Sequence, residues 1–206
     1  MEKPDKRSSI LAAAEKLFSE LGYEGTSTRQ IAKEAGANMS MINYYFGSKE
    51  GVFLEIMNER VIAFKAVLIS INEYPIPPME KLYKVIESYT DRILSNISFH
   101  KMMHRELSLA QRPEMYEKLK DAMSGNMCAI EMIIEDGIAS GEFRTVDIRM
   151  LIATIMGTIT SVATTPSKIT RGSVLDIAIP KDREVLKQRL IAHLKDLVTT
   201  HLTPQK

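Results

Sequence analysis

The sequence predicts an all-helical protein of two domains, and three observations carry that expectation. Apolar residues recur at helical spacing through almost the whole 206-residue chain, and no region sustains the period-two alternation of a sheet. Glycines, prolines and capping residues punctuate these stretches at helix-length intervals. An apolar content of 45% supplies a full core, at a length that allows one large domain or two small ones.

The elements follow in order. A first helix is expected over residues 5–21, on the stripe Ile10, Ala14, Leu17, Phe18 and Leu21. Ser27 can cap a second, short helix, and Gln30, three residues on, can reach back to complete a capping box. Ile31, Ala32 and Ala35 give it an apolar face, Gly36 ends it, and Asn38 caps a third. Ile42 and Phe46, one turn apart, must face inward on that third helix. Ser40, Met41, Asn43 and Tyr44 are then left pointing outward.

Ser48 opens a fourth helix, whose stripe of Val52, Phe53, Ile56, Met57, Ile62, Phe64 and Leu68 carries it to about Asn72 before YPIPP at 74–78 breaks it. Further helices are expected over residues 79–97, with Leu82, Val85, Ile86, Tyr89, Ile93 and Ile97 on one side, and over 99–110. Pro113 restarts the chain for a helix to about Ser140, with Gly141 as its stop. Residues 145–147 open the next, to about Ala163. A polar, Pro-containing loop is expected over 164–181, before a last helix over 182–201 on Val185, Leu186, Leu190, Leu194, Leu197 and Val198.

Two compact helices and a tight turn between Thr26 and Lys49, TSTRQIAKEAGANMSMINYYFGSK, have the dimensions of a unit that enters the DNA major groove. This segment resembles the DNA-binding domain of the TetR family of transcriptional regulators, on Thr28, Ile31, Ala32, Ala35, Gly36, Tyr45, Phe46, Ser48, Lys49, Glu50 and Leu54. Upstream, Ile10, Ala13, Ala14, Leu17, Phe18, Gly22 and Tyr23 resemble the family's first helix and its exit. The specific resemblance covers about the first 60 residues; GIASGEFR at 137–144 adds a weaker likeness to a junction in the family's second domain.

The resemblance implies a DNA-binding domain over residues 1–50 and an effector-binding and dimerisation domain over 51–206. It implies that Arg29 approaches a base edge or a phosphate; a bidentate Arg–guanine pair is the commonest specific contact in the major groove. Asn43 departs from the family pattern, and its amide suits an adenine edge. Ser40 stands where Gly is frequent, and Met39 and Met41 offer surface to a thymine methyl. Tyr44, Tyr45 and Lys49 suit phosphate, as does the hydroxyl of Thr28. For Tyr45 a half-buried packing role is nearly as well supported, since it projects close to the Ile42 and Phe46 face.

Net charge is +1, and residues 1–60 hold eight Lys and Arg (3, 6, 7, 16, 29, 33, 49, 60) against nine Asp and Glu. The reading domain is therefore not basic overall, and phosphate contact depends on distribution. Lys3, Lys6, Arg7, Arg29, Lys33 and Lys49 cluster near the reading unit in sequence. The expectation is that Glu15, Glu20, Glu24, Glu55 and Glu59 occupy faces turned away.

The resemblance also implies a cavity in the second domain for a small, hydrophobic effector. With 13 methionines in the chain, Tyr89, Phe99, Met102, Met103, Met123 and Met127 are the candidate lining, with Arg105, Glu106 and Gln111 as possible polar partners. It further implies a homodimer through the last two long helices, where Ala153, Gly157 and Ala163 permit close approach, and thus a palindromic operator.

Other classes are weaker. His100 and His104 lie four apart but lack a third ligand, so no metal and no cofactor is expected. The lone Cys128, among Met127, Ala129 and Ile130, reads as a buried small hydrophobe. No apolar run is long enough to span a membrane, and MEKPDKRSS lacks the core of a secretory signal, so a cytoplasmic protein is expected. No phosphate loop, zinc motif or nucleophile arrangement suggests an enzyme. A repressor is expected; the alternative is a helical small-molecule-binding or scaffold protein that does not bind DNA.

Overall fold

A computed structural model describes residues 5–108, 113–170 and 175–204. Among these residues the regular structure is helical throughout: α1 (Lys6–Gly25), α2 (Thr28–Glu34), α3 (Met39–Phe46), α4 (Lys49–Glu73), α5 (Pro78–Ser95), α6 (Ile97–Ser108), α7 (Pro113–Ala139), α8 (Ile148–Thr164), α9 (Ser167–Thr170) and α10 (Pro180–Leu202). No helix among the described residues is long and apolar enough to cross a membrane.

The chain forms two compact units. The first comprises Met1–Ala63 and Ser98–Met123, the second Phe64–Ile97 and Ser124–Lys206. The cut expected after residue 50 falls at the start of α4, whereas packing carries the first unit to Ala63 and recruits residues of α6. The reason is visible in its core, where Phe99 and Met102 lie buried with Ile10, Phe18, Ile31, Ile42, Phe53 and Met57. The sequence pattern of α6 gave its periodicity but not its partner.

Within the first unit, Phe18, Tyr23 and Phe53 form an aromatic trio with ring centroids 5.2–5.6 Å apart. Helical geometry in α1 is interrupted at Gly22 (φ 77°, ψ 168°), which is why the stripe does not continue as expected. Leu21, predicted inside, is 48% exposed, and Tyr23 is buried in its place. The buried Thr26 hydroxyl donates to the Gly22 carbonyl at 2.8 Å and closes that exit. Ser48 caps α4 as expected, accepting from the Gly51 amide at 3.0 Å.

The second unit buries aliphatic side chains from the end of α4, α5, the end of α7, α8 and α10. Asn72 of α4 donates to the Ala129 carbonyl of α7 at 3.0 Å, and Tyr83 of α5 meets Thr199 of α10 at 2.5 Å. Phe143 lies over Gly137, whose missing Cβ leaves room for the ring. Asp147 caps α8 through the Met150 amide, and Gly141 turns the chain after α7.

Three further expectations fail for one reason, the phase of a helix. The α4 stripe passes through Val61 rather than Ile62, which is 57% exposed. On α10 it runs through Leu186, Leu190, Leu194 and Val198, at successive i+4 steps, and leaves Val185 exposed. Cys128 is exposed, because the α7 positions that face inward are Ala129, Ile130, Ile133 and Ile134. In the expected loop over 164–181, α9 occupies Ser167–Thr170.

Candidate nucleic-acid interface

The local signals of the α2–α3 segment are realised as read. Ser27 Oγ accepts from the Gln30 amide at 3.2 Å while Gln30 Oε1 accepts from the Ser27 amide at 2.8 Å, completing the capping box. Gly36 takes φ 58°, a backbone that glycine adopts cheaply, and makes the turn. Asn38 Oδ1 accepts from the Met41 amide at 2.9 Å and starts α3. Ile42 is fully buried and Phe46 half-buried, and together they seat α3.

Seating on that narrow stripe leaves a row of α3 side chains in solvent. Ser40 and Asn43 are exposed, Met39 is 47% exposed, Tyr44 83% and Tyr45 40%. Tyr45 thus projects outward, with its ring edge-on to Tyr44 at 5.1 Å. Met41, expected outward, is half-buried against the first unit's core, because the chain at this point follows Ile42 inward. The hydroxyl of Ser40 donates to Asn38 Oδ1.

Thr28 is half-buried at the start of α2, and Arg29 is exposed. Lys49 Nζ donates to the Tyr23 carbonyl at 3.0 Å and lies 4.2 Å over the Tyr23 ring, so its ammonium also fastens the start of α4 to the exit of α1.

The acidic residues do not sit apart from the cations, as the charge count had suggested. Arg7 pairs with Glu55 and Glu59 of α4, Arg60 with Glu15, Lys16 with Glu34 at 2.7 Å, and Lys49 approaches Glu24 at 4.0 Å. The hydrogen bond that Lys16 donates holds the Glu34 carboxyl below its usual range, and the one that Arg7 donates to Glu59 raises the guanidinium further. Arg7 also stacks 5.7 Å over Phe46, a role that its place in the sequence did not signal. Lys6 donates to the Gly36 carbonyl at 2.9 Å. Arg29 and Lys33 form no ion pair with any described residue. Lys3 lies outside the described residues.

Gly51 is a position that the sequence reading missed. The Phe46 carbonyl at the end of α3 approaches α4 so closely at Gly51 that any Cβ there would collide with it. A glycine two residues into an otherwise strong helix pattern was the available signal.

The six residues expected to line an effector cavity are divided between the units. Phe99, Met102, Met103 and Met123 belong to the first, Tyr89 and Met127 to the second. Phe99 and Met102 are buried core, Met103 packs on that core, and the Arg60 guanidinium stacks 4.2 Å over the Phe99 ring. Met123 and Met127 are exposed, 40% and 36%. Tyr89 packs 5.4 Å from Phe64, and burial pushes its phenol up against an opposing hydrogen bond from Thr160. Arg105 is exposed, Glu106 buried, and Gln111 lies outside the described residues.

His100 is buried edge-on to Phe99 at 5.8 Å, and burial lowers the half-buried His104. Among the described residues no group of three His, Cys, Asp or Glu side chains could hold a metal ion. On α8, Ala153 and Gly157 are exposed and border a surface groove of about 470 Å³, whereas Ala163 is buried within the unit.

Comparisons with known proteins agree with this geometry. Residues 10–56 match the family model described as bacterial regulatory proteins, tetR family, and residues 75–164 match one described as a tetracyclin repressor-like C-terminal domain. The fatty acid metabolism regulator protein of Bacillus subtilis (strain 168) is 27% identical over 165 residues, 80% of this chain and 84% of its own. The transcriptional repressor NicS of Pseudomonas putida is 30% identical over 148 residues, 67% of this chain and 66% of its own. Among solved structures, FadR from Bacillus halodurans superposes with a TM-score of 0.75 at 23% identity, over 95% of this chain and 97% of that one. FadR from Bacillus subtilis in complex with stearoyl-CoA gives 0.73 at 25% identity, over 91% and 96%.

Proposed function

The chain belongs to the tetR family of bacterial regulatory proteins and is a DNA-binding transcriptional regulator, and from that premise we propose that it is a cytoplasmic homodimeric repressor, released from a palindromic operator by an apolar effector. One observation carries the reading: α3 buries Ile42 and leaves Met39, Ser40, Asn43, Tyr44 and Tyr45 in solvent. A helix held by so narrow a stripe, with an amide and hydroxyls on its open side, suits base edges and phosphates. Arg29 and Thr28 extend that surface on α2, and Lys49 and Met41 serve it from partly buried positions.

The outer face of α8, with Met150, Ala153, Thr154, Gly157 and Ser161 exposed, supports docking of a second copy. Its small side chains favour close approach, and two-fold symmetry sets two α3 helices one DNA turn apart, ~34–36 Å. The effector is proposed to carry an acyl chain, since a relative is named for fatty acid metabolism and a similar structure holds stearoyl-CoA. Tyr89 and Met127, from the second unit, are retained as contacts for it. The protein's work is binding rather than turnover. An effector that prefers a state with wrongly spaced α3 helices weakens DNA binding by ~1–3 kcal/mol.

Selection of bound sequences from a random duplex pool, repeated at several salt concentrations, tests the reading. A palindromic site with salt-dependent affinity is expected, and acyl-CoA added to that complex should weaken it roughly 5- to 150-fold. Failure to enrich any site, with only weak binding at low salt, would instead favour a helical small-molecule-binding or scaffold protein.

A further inference from the structure

Two adjacent residues in the first turn of α1 reach the two ends of the α3 segment. Lys6 Nζ donates to the Gly36 carbonyl at 2.9 Å, in the turn before α3. Arg7 reaches the other end, where its guanidinium carbon lies 5.7 Å from the centroid of the Phe46 ring, the last residue of α3. The same guanidinium donates to Glu59 at 3.1 Å and to Glu55, both on α4. One side chain thus joins α1, α3 and α4.

The rest of the grip on α3 is slight. The helix buries Ile42 fully, with Met41 and Phe46 packed partly beside it, and the chain reverses at Gly47 (φ 73°) before α4 begins at Lys49. A helix of eight residues seated on one buried side chain can roll unless its ends are held, and hydrogen bonds to base edges weaken steeply with angle. A guanidinium suits that hold, because its planar fork spans two carboxylates while its face lies on a ring. In Arg7 the donors are directed at carboxylates of its own unit.

We infer that Arg7 is a positioning residue for the DNA-reading helix: held by Glu55 and Glu59, it steadies the end of α3 through the Phe46 ring and so sets which base edges the exposed side chains of α3 meet. Its charge is spent inside the unit and not on phosphate. The inference rests on the reading of α3 given above and adds one cation and two acids on which its selectivity depends. Glu55 and Glu59 then act in recognition despite their sign, since their neutralisation strengthens attraction to any duplex while it weakens preference for the right one.

The test compares the full chain with Arg7→Gln, Arg7→Lys and the double variant Glu55→Gln with Glu59→Gln. Each is titrated, at several salt concentrations, with the duplex that the unaltered chain selects and with a scrambled duplex of the same composition. The ratio of the two affinities is read, because uniform electrostatic attraction cancels in it. That ratio should fall roughly 5- to 150-fold, the worth of one bidentate base contact, in Arg7→Gln and in the double variant alike. Arg7→Lys should not restore it, an ammonium being a point charge without the fork. The double variant should meanwhile bind the scrambled duplex more tightly, and the three substitutions together should lose no more than either set alone. Melting should change little, since partly exposed ion pairs stabilise weakly. The inference is overturned if Arg7→Gln weakens both duplexes at an unchanged ratio, with the salt slope lower by about 0.9 for each lost contact and recovery in Arg7→Lys, which would assign Arg7 to phosphate. A lowered melting temperature at an unchanged ratio would overturn it equally and leave Arg7 a part of the fold alone. Absence of any enriched site from the unaltered chain would overturn the DNA-binding reading itself, a failure distinct from both.

Discussion

The first unit ties its helices together at the rim with ion pairs, Arg7 to Glu55 and Glu59, Arg60 to Glu15 and Lys16 to Glu34, around a small core centred on three aromatic rings. The second unit buries aliphatic side chains from five helices, a larger core, and adds to it the cross-links of Asn72 and Tyr83 and its own rim ion pairs, Lys187 to Asp91, Lys195 to Glu87 and Arg149 to Glu131. A unit that must keep one face of α3 and α2 in solvent has less apolar area to bury, and geometry set by a few specific contacts takes its place. Burial dominates where no such face is required. The first unit should therefore be sensitive to single contacts and to pH, and the second to lost volume.

The largest effect expected is from Phe53→Ala, which removes a fully buried ring from the trio with Phe18 and Tyr23. A loss of ~3–5 kcal/mol is expected in denaturant unfolding, followed by a probe in the first unit. Ile155→Ala in the second unit should cost ~2–5 kcal/mol and leave the first unit's transition in place. If both variants shifted a single shared transition equally, the contrast between the units would be lost.

Two glycines sharpen the comparison at the next level. A Cβ at Gly51 meets a backbone carbonyl of α3, and one at Gly137 meets the Phe143 ring. Each Ala substitution is expected to cost ~1–3 kcal/mol by overpacking. They should differ in function, because Gly51→Ala displaces α3 and abolishes sequence selection, while Gly137→Ala leaves the selected site unchanged. Binding assays on duplex DNA would distinguish them.

Removing the cap with Asn38→Ala should cost ~0.5–2 kcal/mol and loosen the first turn of α3, so binding to duplex DNA should weaken with it. The smallest effect is that of pH. The Glu34 carboxyl lies below its usual range through its bond to Lys16, and burial places His104 below the usual imidazole range. Both folded values are depressed, so both contributions are present above the ordinary values and fade as pH falls through them. The first unit should lose stability from about neutrality downward, first through His104 and then through Glu34, while the second unit should hold until the pH reaches the carboxyl range, where Glu184, depressed by its bonds with Gln188 and Lys187, is protonated in turn. A melting series from pH 7 to pH 4, read by unit-specific probes, would show a common shift if this contrast is mistaken.

What was legible in the sequence was local. The capping box at Ser27 and Gln30, the turn at Gly36 and the cap at Asn38 each involve residues within three positions of one another, so the pattern and the contact coincide. Helix existence was legible for the same reason. Helix phase was less so: Leu21, Ile62, Val185 and Cys128 are apolar, yet the turn of α1 at Gly22 and the choice of neighbouring positions on α4, α7 and α10 leave them exposed. Least legible was the company that a side chain keeps across long separations. Arg7 read only as a cation near the reading unit and Lys49 as a phosphate contact; their partners on α4 and α1, 26 to 52 positions away, were not legible. Phe99 and Met102 read as effector contacts, and their neighbours are Ile10, Phe53 and Met57.

The burial of Phe99 and Met102 among residues of α1 and α4 bears on how such regulators can be recombined. A DNA-reading module transplanted by a single cut after α3 or in mid-α4 would leave behind part of its own core and the ring on which Arg60 rests. Exchange of operator preference between this chain and a relative thus requires either that the stretch containing α6 travel with the reader, through two further junctions, or that only the exposed side chains of α2 and α3 be replaced.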